Sequence, residues 1–217
     1  YDEVVKKFGK MIDVDPWMLN PFHAKCSDVN FQEGEGEDAL AASVDVLLAK
    51  IRKKYKEYGI KEKPFVIVKP DAGTYGTGIM TVRDASEVRD LSRKQRDKMS
   101  IVKDGKVVTD VIIQEGVPTF ESIKDAVAEP VVYMIDRYVV GGFYRVHAEK
   151  GVDQNLNAPG SQYVPLAFAQ QHAVPDLKAK PGTAAPNRFY VYGVVARLAL
   201  LAASLEMERT DPNPEVY

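Results

Sequence analysis

The chain has 217 residues, 45% hydrophobic and 28% charged, with a formal net charge of -2 and a single cysteine. That is enough for a core in one or two domains, without the basic face that a nucleic-acid backbone calls for or the second thiol that an intrachain disulfide needs. A lone Cys26 fits a reducing, cytoplasmic setting, and no run of roughly 20 apolar residues or basic-then-apolar leader is read, so no membrane partner is expected.

From the N-terminus, Val4, Val5, Phe8, Met11 and Ile12 recur at helical spacing. DVDPWMLNPFHAKCSDVNFQEGEG then shows no period and carries Pro16, Pro21, Gly34 and Gly36, which reads as a long loop. From Glu37, the residues Leu40, Val44, Leu47, Leu48, Ile51 and Tyr55 trace a helix with acids in its first turn, a basic end and Gly59 as its stop. FVIVK reads as a buried strand and GIMTV as its partner. Asp84 and Glu87 resemble a capping box opening a polar helix that ends near Met99.

Asp104-Gly105 marks a hairpin-type turn before the strand DVIIQEG. VVYMID and VVGGFYRVH flank Asp136-Arg137-Tyr138 as a second antiparallel hairpin. AEKGVDQNLNAPGSQY reads as a loop, and Asn187 is placed as the cap of a last helix over residues 188 to about 209. There is no internal repeat or low-complexity tract. The whole pattern predicts an α+β chain, antiparallel sheet flanked by helices.

The chemistry-bearing stretch is VIVKPDAGTYGTGIMTV, residues 66–82, in which Lys69-Pro70 ends one strand and Gly73, Gly76 and Gly78 precede the next. Glycines there let backbone N–H groups approach phosphate oxygens without side-chain obstruction, and the lysine adds charge. A Walker A loop needs Gly-Lys-Ser/Thr opening a helix, and a dinucleotide fingerprint needs G-x-G-x-x-G between strand and helix. Here the order is G-x-x-G-x-G, a strand follows, and the lysine comes first. A protein-kinase loop is excluded too, because its lysine follows the glycines and no His-Arg-Asp or Asp-Phe-Gly is present. What remains is a lysine-first, hairpin-type phosphate flap.

VIVKPDAGTYGTGI resembles the ATP-grasp superfamily. The wider run, from NPFHAKCSDVNFQEGEGEDALAASVDVLLAKIRKKYKEYGI through QEGVPTFES, YMIDRYVVGGFYRVH and NLNAPGSQYVPLAF, is similar to the proteobacterial type of glutamate–cysteine ligase. The resemblance implies an ATP-grasp-like α+β fold, antiparallel sheets with flanking helices and a glycine-rich flap. Residues 1–36 would be the end of a preceding lobe or an irregular linker, and 37–217 the nucleotide-binding and catalytic region. Lys69 matches the phosphate-contacting lysine, and Gly73, Thr74, Gly76 and Gly78 fall in the flap. Gln114, Glu115, Gly116 and Val117 occupy the place where adenine and ribose are bound. Arg145 stands where relatives place an arginine near the transferred phosphoryl and acyl group, and Asn155 and Asn157 fall in a region of substrate or phosphate contact.

The resemblance further implies ATP and Mg²⁺ as cofactors and glutamate and cysteine as substrates, joined through an acyl phosphate. Two departures stand out. There is no closing Glu-x-Asn: the nearest spacing is Asp211-Pro-Asn213, with Glu206 and Glu208 in the last helix, so the metal ligands stay unassigned. The N-terminal lobe that binds the acceptor in relatives is expected before Tyr1. Plainer readings stay open beside these. Glu115 could be a strand-end acid, Arg145 half of a cross-strand ion pair, Asn155 and Asn157 turn formers, and Cys26 a small apolar packer. The three histidines lack metal-ligand spacing and are read as structural. The function alternatives are another ATP-grasp ligase with different substrates, or a non-catalytic nucleotide-binding domain.

Overall fold

The computed structural model describes residues 1–72, 77–100, 105, 107–165, 178 and 188–212. In chain order these form α1 (Asp2–Ile12), a 3₁₀ turn (Pro16–Met18), β1 (His23–Cys26), α2 (Glu37–Tyr58), β2 (Val66–Pro70), β3 (Met80–Val82), α3 (Ser86–Arg89) and α4 (Arg93–Ser100). There follow β4 (Val111–Glu115), β5 (Glu121–Ile123), β6 (Ala126–Ile135), β7 (Tyr138–His147), β8 (Gln162–Pro165) and α5 (Arg188–Thr210). The chain divides into two compact units. Pro21–Phe120 with Glu149–Gly160 makes the Lys69 unit; Tyr1–Asn20, Glu121–Ala148 and Ser161–Tyr217 make the Arg145 unit.

The Lys69 unit is built on an antiparallel sheet of order β1-β4-β2-β3. α2 forms where the apolar period predicts it: Glu37 and Asp38 stand in its first turn, and Gly59, at φ 68°, ends it by donating its N–H to Tyr55 O and Lys56 O. Its apolar stripe packs across β1, β4 and β2. Leu40, Ala41, Val44, Leu48 and Ile51 are fully buried, as are Val66, Val68, Val111 and Ile113 of the sheet. Each such side chain contributes about 1.5–3 kcal/mol of hydrophobic stabilisation, which makes this face the centre of the unit's stability.

The Arg145 unit carries a second antiparallel sheet, β5-β6-β7-β8, with a register shift at Tyr133/Met134. α5 packs on β6, and α1 on α5. The apolar cluster is small: Val4, Val5 and Leu198, with Phe8, Leu19, Val194, Ala202 and Leu205 against them.

Three expectations need correction. The long loop before Glu37 contains the 3₁₀ turn and β1, whose four residues are too few, and only Cys26 buried among them, to show a period. The polar helix ending near Met99 is two helices, because Ser92 and Gln95 form a second capping box: Ser92 N donates to Gln95 Oε1 at 2.9 Å. β5 was not foreseen, and β8 begins inside the segment read as loop. Both hairpins around β2–β3 and β6–β7 form as expected. Asn187 and Asp104 lie outside the described residues, whereas Gly105 has the positive φ of 73° that a tight turn asks for.

α5 is also more apolar than the sequence reading allowed. Within Tyr190–Thr210 a window reaches a mean hydropathy of 1.4, long and apolar enough by composition to cross a bilayer. The signal is weak: the segment includes Arg197, Glu206, Glu208 and Arg209, and its Val194, Leu198, Ala202 and Leu205 pack on α1.

Candidate functional site

Strand alternation sorts the Lys69 unit's sheet into two faces. Val66, Val68 and Pro70 of β2 and Val111, Ile113 and Glu115 of β4 are buried; Ile67, Lys69, Ile112 and Gln114 are less so. The register sets Ile67 beside Gln114 and Lys69 beside Ile112, so Lys69 and Gln114 share the more open face, and Lys69 Nζ donates to Gln114 Oε1 at 2.9 Å. The acceptor is a neutral carboxamide, so this hydrogen bond orients the ammonium group without neutralising its charge. That is the arrangement an anion would use.

Sequence reasoning missed a second cation on this face. β1 pairs Lys25 with Ile112, across β4 from Lys69, and Lys25 Nζ meets Asp71 Oδ2 at 2.6 Å. The Asp71 carboxylate raises the Lys25 pKa. The only signal in the sequence was the alternation of His23 and Lys25 with Ala24 and Cys26, four residues at a sheet edge.

The C-terminal side of the glycine segment lies against the strand it leaves. Gly78 has φ +67°, and a Cβ there would come within 2.9 Å of Pro70 Cγ; Lys98 Nζ donates to Ile79 O at 2.8 Å. Gly73, Thr74 and Gly76 lie outside the described residues.

Of the strand-end residues, Gln114 faces Lys69, while Glu115 faces the opposite way. It is 3% exposed, on the α2 side of the sheet, and its Oε2 accepts the Phe22 N–H at 2.9 Å. Gly116 donates its N–H to Phe65 O at 2.8 Å and lies against the Phe65 ring, where a Cβ would sit 2.0 Å from Phe65 Cε2. Val117 is exposed.

The loop 149–160 belongs to the same unit. Leu156 is fully buried, whereas Asn155 and Asn157 on either side are exposed, with Asn157 N donating to Asn155 Oδ1 at 3.0 Å. Both line a cavity of about 530 Å³ with Lys98, Lys150, Thr81 and Gln95. Among the described residues no acid lines it, so its lysines and carboxamides suit an anionic, hydrogen-bonding ligand.

Arg145 lies in the other unit, on β7. It pairs across the strands with Glu129, Nη1 to Oε1 at 2.5 Å, while its buried Nε has no partner among the described residues. On the same sheet face run Tyr133, Phe143 and Tyr163, with ring centroids 5.9 and 5.2 Å apart. Cys26 is buried, and burial pushes its thiol pKa up, with Asp28 and Asp110 adding to the shift, which suits a packing role rather than a nucleophile. Among the described residues no three His, Cys, Asp or Glu side chains come together to hold a metal. Glu206, Glu208 and Asp211 are described, and Asn213 is outside.

A family model described as glutamate-cysteine ligase matches residues 1–207. A solved structure of a provisionally named gamma-glutamylcysteine synthetase from Methylobacillus flagellatus KT is 62% identical in sequence and superimposes with a TM-score of 0.84. The match covers 97% of this chain and 50% of that one, so the chain spans about half the length of that relative. No curated protein matches significantly.

Proposed function

The chain belongs to the glutamate–cysteine ligase family, and from that premise we propose that the complete protein uses ATP to join the γ-carboxyl of glutamate to the amine of cysteine, the first step toward glutathione. The observation that carries the reading is Lys69: a lysine held by Gln114 on the open face of a sheet, at the point where the chain enters a glycine-rich segment.

The chemistry sets what the residues must do. A carboxylate is a poor acyl donor, so the γ-phosphoryl group of ATP passes to a glutamate γ-carboxylate oxygen, giving an acyl phosphate and ADP. The amine of cysteine, having lost its proton, attacks the carbonyl carbon, and phosphate leaves. Both steps gather negative charge, which fixed cations and backbone N–H groups stabilise without reorganising. Lys69 is assigned to the phosphates, with residues 73, 74, 76 and 78 as the flap over them in an ATP-grasp-like arrangement. The segment 114–117 is assigned to adenine and ribose; the orientation of Glu115 favours the backbone of this segment over that carboxylate as the contact. Asn155 and Asn157 are assigned to substrate or phosphate, and Arg145 to the developing oxyanion, where its Nε, without a partner among the described residues, supports a second acceptor beside Glu129.

Mg²⁺ enters with the nucleotide as Mg-ATP. The described residues do not build a three-ligand metal cage, and no step is assigned to a protein-held ion. Residues 37–217 are proposed as the nucleotide-binding and catalytic region, to whose first sheet β1 (His23–Cys26) adds an edge strand. The lone buried Cys26 supports a cytoplasmic setting.

A substrate panel on the natural protein that contains this chain tests the assignment. ADP release that needs Mg-ATP, glutamate and cysteine together is expected. Release driven by another acid and amine would make it a ligase of different specificity, and nucleotide binding without turnover under any pair would make it a binding domain.

A further inference from the structure

Two segments that the proposed function uses, the strand end 114–117 and the loop bearing Asn155 and Asn157, meet through a residue that neither contains. Arg83 follows β3. Its guanidinium pairs with Asp153 of the loop and lies 5.8 Å from the centroid of the Phe65 ring. Phe65 is 4% exposed, accepts the Gly116 N–H, and fills the space where a Gly116 side chain would be. One backbone tie runs alongside: Thr119 N donates to Val152 O at 2.7 Å. Within the loop, Gln154 N donates to Gly151 O and Gly151 N to the Gln154 side chain, contacts that hold the loop's shape. Arg83 joins it to the sheet.

We infer that Arg83 and Asp153 are positioning residues that hold the cavity wall bearing Asn155 and Asn157 against the strand end 114–117. The inference rests on the reading of Asn155 and Asn157 as ligand contacts. Arginine suits the place because its planar guanidinium can stack on an aromatic ring while separate N–H groups of a rigid fork hydrogen-bond a carboxylate, whereas lysine offers a compact point charge. The pair is also half open to solvent, with side-chain exposures of 49% for Arg83 and 29% for Asp153. Breaking it should therefore loosen the loop without unfolding the unit.

The test uses the complete natural enzyme carrying Arg83→Glu, Asp153→Arg, or both. Each single reversal should speed amide hydrogen exchange across residues 151–158 and raise the KM for glutamate or for Mg-ATP about two- to fivefold, with kcat and the unfolding midpoint close to the parent's. The double reversal should recover both readouts in part, since it restores the ion pair but not the cation over Phe65, and Arg83→Lys should fall between the parent and Arg83→Glu. Parent-like exchange in Arg83→Glu, or a double variant no better than the singles, would overturn the inference. Asn155→Ala separates the two levels. If it leaves KM unchanged, the ligand role of Asn155 falls, while the exchange data still decide whether Arg83 and Asp153 hold the loop.

Discussion

Among the described residues the two sheets have the same number of strands and the same antiparallel pairing, yet they are stabilised differently. In the Lys69 unit, β2 and β4 alternate cleanly between buried and half-buried residues, because α2 lays a continuous apolar stripe across one face. In the Arg145 unit, β6 and β7 are half-buried along most of their length, and Tyr133, Ile135, Tyr138, Val140 and Tyr163 are exposed. A sheet with its own helix can devote its other face to polar work, as Lys25, Lys69 and Gln114 do. The other sheet, with α5 packed on β6, keeps large apolar groups in the open among the described residues.

The largest test of this contrast is a matched pair of truncations. Leu48→Ala removes a fully buried side chain of α2 and should destabilise the chain by about 2–5 kcal/mol in denaturant titration. Tyr133→Ala, on a side chain that is 56% exposed, should cost well under half of that. Equal losses would erase the distinction between the sheets.

Next is Lys69→Ala, which removes a charge from the open face and leaves α2's side untouched. Mg-ATP binding measured by calorimetry should weaken by about 1.5–3 kcal/mol, the worth of a hydrogen bond to a charged group, with the unfolding midpoint preserved. Undiminished binding would remove the phosphate role.

Gly116→Ala probes where the two faces meet at the strand end. Its methyl group would collide with the Phe65 ring, so a loss of about 1–3 kcal/mol from overpacking is expected, and a parent-like unfolding midpoint would show that Phe65 yields freely.

The smallest effect belongs to the Arg145 unit, where Glu3 bonds Lys7 and Arg209. Hydrogen bonds from Lys7 and Arg209 lower its pKa from 4.5 to about 2. Because the folded value is depressed, this contribution is present above pH 4.5 and is lost as the pH falls toward about 2. Unfolding midpoints of the parent and Glu3→Gln should converge across that window, and only slightly, since the group is exposed.

How much of this was legible in the sequence follows the same contrast. α2 and β2 were readable because a strong apolar period, charged ends and Gly59 agree on α2, and a short β-prone run before Pro70 marks β2; the place of Lys69 at a strand end before the glycines was readable with β2. β1 was not, since four edge residues carry no period, and Lys25 went unseen with it. Glu115 was named from its place in the chain, but which way it faces depends on the pairing of β4 with β2, a long-range register that spacing along the chain does not encode. The Arg83–Asp153 pair joins residues 70 positions apart, and no local pattern marks it.

The central claim, that the chain belongs to an enzyme activating a carboxylate as an acyl phosphate, is tested most directly by isotope transfer. Glutamate labelled with ¹⁸O in its γ-carboxyl should pass one label to inorganic phosphate during turnover of the complete enzyme, with ADP as the nucleotide product. AMP and pyrophosphate, or unlabelled phosphate accompanying normal product, would contradict it.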